Sequence, residues 1–170
     1  VFRVSDDGDL NGMFGYDFQI ASLTTEQILK YFMINGSNVD AYDNLTMPTF
    51  EQYLGVMKKN KEVHPFVEIK EELNDADLRK IVKQVKDAGL LNETYFISMH
   101  QSNLLSLQRL DGVNTSQLQY VYGAEDFNKT TSVTSSVISW CINNQIDLDT
   151  RQSLVTASDV YRLQTAGRQV

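Results

Sequence analysis

The sequence predicts the α/β class, built from about four parallel strand–helix units. Short apolar runs alternate with segments whose apolar residues recur at helical spacing. Successive strand starts lie about 25–30 residues apart, the length of a strand–crossover–strand unit. Thr, Asn or Asp opens the helical segments and Gly closes several of them.

Residues 1–22 lack a regular pattern. Asp6-Asp7-Gly8-Asp9 and Asn11-Gly12 are turn signals. Phe14, Tyr16, Phe18 and Ile20 alternate, which predicts a short strand or an extended lead-in. Thr24 with Gln27 reads as a capping box opening a helix. Its stripe is Ile28, Leu29, Phe32 and Met33, and Gly36 should stop it. After a loop through Met47-Pro48, Thr49 with Gln52 opens a second helix. Phe50, Tyr53, Leu54 and Met57 form its apolar face. Lys58, Lys59 and Lys61 sit at its end, where the dipole favours cations.

Phe66 to Lys70 is the first strand. Asn74 or Asp75 caps the next helix, with Leu78, Ile81, Val82 and Val85 inward and Gly89 as its stop. Tyr95 to Met99 is a second strand, followed by a short helix over 103–110. Leu118 to Gly123 is a third strand, followed by a helix within 133–144. Gln145 to Asp149 is a fourth strand. Thr156 or Ser158 caps a final helix that runs through Leu163 and ends at Gly167. Val170 reads as the start of a fifth strand.

Two closures satisfy this order: an open doubly wound sheet, or part of a (β/α) barrel. A whole barrel needs about 250 residues, and the chain has 170, so half of one fits. The chain opens Val1-Phe2-Arg3 without methionine, as a processed or excised piece would. One cysteine, Cys141, excludes an internal disulfide framework. No run of 18 apolar residues predicts a membrane span. A net charge of −7 disfavours general attraction to nucleic acid or anionic membrane. The glycine-rich dinucleotide and phosphate loops, the GxSxG elbow and the HExxH zinc helix are all missing.

Glu68 and Lys70 stand at i and i+2 of a strand, so both project to one face, opposite Val67 and Ile69. An inward carboxylate and ammonium need partners. They can pair with each other, or take a metal ion and a phosphate. His100 follows the second strand, at the end where parallel α/β folds bind ligands, and can donate to a phosphate or move a proton. Tyr120 and Tyr122 share a face and either line a pocket or fill the core. Glu125, Asp126, Asp147 and Asp149 close the third strand or lie on the fourth. Asp149 is nearer the ligand-binding end, with a cation, a polyol or a salt bridge as its alternatives. His64 precedes the first strand at the opposite end and receives no function.

Met47-Pro48-Thr49-Phe50-Glu51-Gln52-Tyr53-Leu54, followed by Phe66-Val67-Glu68-Ile69-Lys70, resembles the "PTLEEyL … EIK" succession of glycerophosphodiester phosphodiesterases. Leu23-Thr24-Thr25-Glu26-Gln27-Ile28 resembles the stretch that precedes it in that family. Ile97-Ser98-Met99 resembles the family's "iSF" strand, with Met for Phe. Ile146-Asp147 and 155–170 resemble the approach to the last strand.

The resemblance implies a (β/α)8 TIM barrel, with 1–170 as one partial barrel domain, roughly strands four to seven behind an extended lead-in over 1–22. It implies metal-dependent hydrolysis of a glycerophosphodiester to an alcohol and glycerol 3-phosphate. Glu68 would be a ligand of a divalent ion, Mg²⁺ or Ca²⁺, and Lys70 would contact the substrate phosphate. His100, Tyr122 and Asp149 are the further substrate-binding candidates. The departures are specific. The family's "HRG" and "HD" histidines, its "ExD" metal pair and its tryptophan-bearing last strand have no counterpart. The segment alone is therefore expected to be inactive. A second copy or the remaining barrel strands are expected to cover its open edges. The alternative reading is a non-enzymatic binding module on a degenerate barrel.

Overall fold

The computed structural model describes residues 11–123 and 131–170. The chain divides into two compact units, Val1–Lys59 and Asn60–Val170.

In the first unit, the described part of the expected extended lead-in is instead partly coiled. Helix α1 (Asn11–Phe14) is one turn long. It closes with a bond from Gly15 N–H to Asn11 O of 3.0 Å. Gly15 has φ of +69°, and a Cβ there would lie 2.5 Å from Ile34 Cδ1, so the position requires glycine. Phe14 is thereby buried with Ile28 and Met47 in a small core.

Helix α2 (Thr25–Ile28) opens with the expected Thr24–Gln27 capping box. It ends after one turn, well before Gly36. The backbone N–H groups of Met33 and Ile34 bond instead to Leu45 O and Met13 O, at 2.7 and 2.9 Å. Leu29 and Phe32 are exposed. Helix α3 (Phe50–Met57) has the Thr49–Gln52 capping box and buries Phe50 and Leu54.

The second unit follows the strand–helix order. Its elements are β1 (Phe66–Glu68), α4 (Asp75–Asp87), β2 (Tyr95–Ser98), α5 (Gln101–Gln108), β3 (Leu118–Tyr122), α6 (Ser135–Asn144), β4 (Asp147–Thr150) and α7 (Ala157–Thr165). The sheet is parallel throughout, in the order β1-β2-β3-β4. β4 starts two residues later than its sequence pattern suggests, because Gln145 closes α6 in the left-handed conformation.

One face of the sheet carries Val67, Phe96, Leu118 and Leu148, all buried. Helix residues such as Leu78, Val85, Leu104, Ile138 and Leu163 are buried as well. Each such side chain contributes about 1.5–3 kcal/mol of burial. Gly89 ends α4 at φ of +74°. Leu90 N–H bonds back to Val85 O there, at 3.1 Å. At the chain's end, Leu148 N–H bonds to Gln169 O at 3.1 Å, so the residues after α7 return alongside β4.

Candidate functional site

The register runs Glu68, Ile97, Gln119, Asp147 across the four strands. With the period of two, Lys70, Val121 and Asp149 project to that same face. This is the face away from the apolar core just described. Glu68, Ile97, Gln119, Val121 and Asp149 are each only half-buried.

At the C-terminal end of β1, Lys70 Nζ lies 2.8 Å from Glu68 Oε2, the two side chains being 40% and 25% exposed. A pair this solvated adds about 0–1 kcal/mol. Fold stability therefore gives little reason to keep these charges on this face. Asp149 stands three strands away. A flat sheet would separate β1 from β4 by about 14 Å. Yet the Glu68 charge, after the larger effect of burial, pushes the Asp149 carboxyl above its ordinary range. Asp149 thus stands on the same face of the sheet as Glu68 and Lys70, towards the C-terminal end of β4.

His100 is close to Lys70, but its ring is engaged with backbone. Its Nε2 lies 2.9 Å from Lys70 O. A carbonyl only accepts, so Nε2 carries the proton and donates. Tyr122 stands apart from the group. Strand alternation turns it to the helix layer, where it and Tyr120 pack against the Ile138, Cys141 and Leu163 cluster. The Tyr122 hydroxyl donates to Ser132 O at 3.4 Å, and the Tyr120 ring lies 5.3 Å from that of Trp140. Register thus places Tyr122 on the opposite face of the sheet from Lys70 and Asp149.

Asp147 is on the same face as Glu68 but at the other end of its strand, 3% exposed. Its Oδ1 accepts from Gln169 N–H at 3.0 Å and lies 3.4 Å from Arg168. Burial outweighs both and holds the carboxyl above its usual range. His64 sits edge-on to Tyr95 at 6.2 Å, a packing contact. Glu125 and Asp126 lie outside the described residues. No cluster of three or more His, Cys, Asp or Glu side chains suited to a metal occurs among the described residues.

Two residues of the site were not singled out by sequence reasoning. Ser98 and Asn103 are both fully buried. Ser98 Oγ–H donates to Ile69 O at 2.8 Å. Asn103 Nδ2 donates to Glu71 O at 2.8 Å, and its Oδ1 accepts from Leu73 N–H at 2.9 Å. A serine inside an apolar strand and an asparagine in the first turn of a helix were the available signals.

No protein-family model matches the sequence, and no curated protein does. Solved structures do match. A protein from Galdieria sulphuraria, provisionally described as a glycerophosphodiester phosphodiesterase, aligns with a TM-score of 0.73 at 13% identity, over 95% of this chain and 62% of its own. One from Agrobacterium tumefaciens, provisionally described as a glycerophosphoryl diester phosphodiesterase, gives 0.71 at 15% identity, over 98% and 64%. A glycerophosphodiester phosphodiesterase from Parabacteroides distasonis gives 0.55 at 19% identity, over 98% and 71%. The chain thus spans less than two thirds of the length of the first two. What the four parallel units build is part of a (β/α)8 barrel, with the fold of glycerophosphodiester phosphodiesterases.

Proposed function

We propose that these elements belong to a glycerophosphodiester phosphodiesterase, a hydrolase that cleaves the diester to an alcohol and glycerol 3-phosphate. The supporting observation is the placement of Glu68, Lys70 and Asp149 on one face of the sheet, at the strand ends where barrels of this class place their chemistry. Lys70 would give the phosphate a compact positive charge. Glu68 and Asp149 would offer oxygen donors to a divalent ion. Two carboxylates suit Mg²⁺ when water and phosphate oxygens complete its shell. Such an ion would supply Lewis-acid stabilisation of charge on the phosphoryl oxygens.

Neither histidine is placed for proton transfer to a bound diester. His64 packs on Tyr95 and His100 donates to a backbone carbonyl. Turnover therefore needs acid–base groups beyond the described residues, and the chain alone is expected to bind without hydrolysing. This observation favours the second reading, a binding module for phosphate esters on the same barrel framework.

The deciding assay measures hydrolysis of bis(p-nitrophenyl) phosphate and of glycerophosphodiesters with and without Mg²⁺ or Ca²⁺. In a protein carrying the whole barrel, Glu68→Gln should lower metal affinity and rate by about 10–100-fold. Unchanged values would remove Glu68 from the site. Binding without turnover in that protein would favour the binding module.

A further inference from the structure

We propose that Ser98, His100 and Asn103 are positioning residues that hold the backbone after β1 and thereby present the Lys70 ammonium beside Glu68. The proposal rests on the phosphate-ester reading only for what Lys70 would bind. The placement of Lys70 is independent of it.

The last bond of the β1–β2 ladder runs from Ile69 N–H to Ile97 O at 2.8 Å. From there, side chains of the β2–α5 junction take over. Three consecutive carbonyls each receive one side-chain donor. Ile69 O accepts from Ser98 Oγ–H at 2.8 Å, Lys70 O from His100 Nε2–H at 2.9 Å, and Glu71 O from Asn103 Nδ2–H at 2.8 Å. Asn103 Oδ1 then accepts from Leu73 N–H at 2.9 Å. The donors are themselves tied together. Ser98 Oγ accepts from His100 N–H at 3.1 Å and from Asn103 Nδ2 at 3.2 Å. Ser98 thus uses its one donor and both acceptor sites.

The network is buried at Ser98 and Asn103, where unmade bonds are costly and geometry is correspondingly fixed. Lys70 gains from this directly. A lysine has a long, flexible stem, so the direction of its ammonium depends on where its backbone is held. His100 grips the peptide of Lys70 itself. Its ring therefore acts on a ligand through Lys70, by position, and the property it needs is an N–H at the Nε2 place. A glutamine amide can supply that donor; alanine cannot.

The test uses the chain labelled at lysine and compares wild type, His100→Gln and His100→Ala by NMR, first without ligand and then with inorganic phosphate. Thermal unfolding of all three serves as the fold control. His100→Gln should keep the wild-type Lys70 Nζ and Cε resonances and phosphate affinity. His100→Ala should move those resonances toward the values of an exposed lysine and weaken phosphate binding about tenfold. Wild-type Lys70 resonances in His100→Ala would overturn the proposal. So would a His100→Gln chain that fails as His100→Ala does, because the ring would then act on the ligand itself. If wild-type Lys70 does not respond to phosphate, the phosphate-ester reading falls. The positioning role is then decided by the ligand-free resonances alone.

Discussion

Asp149 illustrates how a single carboxylate can act against the fold that holds it. Burial and the Glu68 charge both raise its proton affinity in the folded state. Ionised Asp149 therefore destabilises the native chain. The cost is absent where both states are protonated, grows as pH rises through the ordinary carboxylate range to the raised folded value, and is constant above. Asp149→Asn should stabilise the chain at neutral pH by about 1 kcal/mol, an advantage that shrinks on acidification. Denaturant unfolding at a series of pH values measures it, and equal stability at neutral pH would contradict it. Cys141 is shifted in the same direction, and this keeps it protonated. It is fully buried, and burial together with the Asp147 charge pushes its thiol up to about 12. Its reaction with a disulfide reagent at mildly alkaline pH should proceed at the rate of unfolding rather than at that of a free thiol. None of this electrostatics was legible in the sequence. That Glu68 and Asp149 share a face is set by the register of three strand pairs, which no local pattern records. The orientation of Tyr122 was open in the sequence for a related reason: its parity relative to Glu68 is set by inter-strand register.

At the scale of the element, local chemistry was legible wherever it was self-contained. Thr24, Thr49, Asn74 and Thr156 were all readable as caps, and each accepts a bond from the third following backbone N–H. Asn74 Oδ1 accepts from Asp77 N–H at 3.0 Å. Asn74→Ala should cost about 1 kcal/mol and Asn74→Ser much less. Thermal denaturation distinguishes them, and an equal loss in both would show that the cap bond is not the cause. Helix α2 shows where local reading ends. Its amphipathic stripe continues past Ile28, but the Met33 and Ile34 N–H groups find partners on distant strands of chain, at Leu45 and Met13. The Ser98–His100–Asn103 network was invisible for the same reason, because each of its bonds to the β1–α4 connection spans about thirty residues.

At the scale of the whole molecule, the sheet ends at β1 on one side and β4 on the other. Edge strands expose unpaired N–H and C=O groups and invite pairing. The β4 edge is partly occupied, since Gln169 O takes the Leu148 N–H and Asp147 takes the Gln169 N–H. In the sheet of the described residues β1 pairs with β2 on one side alone, and its first residue, Phe66, is 51% exposed. The chain should therefore self-associate as concentration rises, in sedimentation or light scattering. A monodisperse monomer throughout would show that both edges are protected. The strand–helix order that identified the fold class was legible because each unit is local. That the units form part of a barrel rather than an open sheet was legible only through the family resemblance of the motifs and the chain's length, because strand–helix order alone fits both closures.

The contact between Tyr120 and Trp140 has an optical consequence. Trp140 is the one tryptophan of the chain, and its ring meets a tyrosine at 5.3 Å within the cluster that also contains Cys141. Its fluorescence therefore reports the melting of the β3–α6 layer alone, while circular dichroism sums the helices of both units. Coincident midpoints would mean that the chain unfolds as one cooperative body, and separated midpoints would resolve the stability of each unit. A molecule with a single tryptophan, excited selectively over its tyrosines and seated on one side of the chain's division, carries the means to measure that division without any added label.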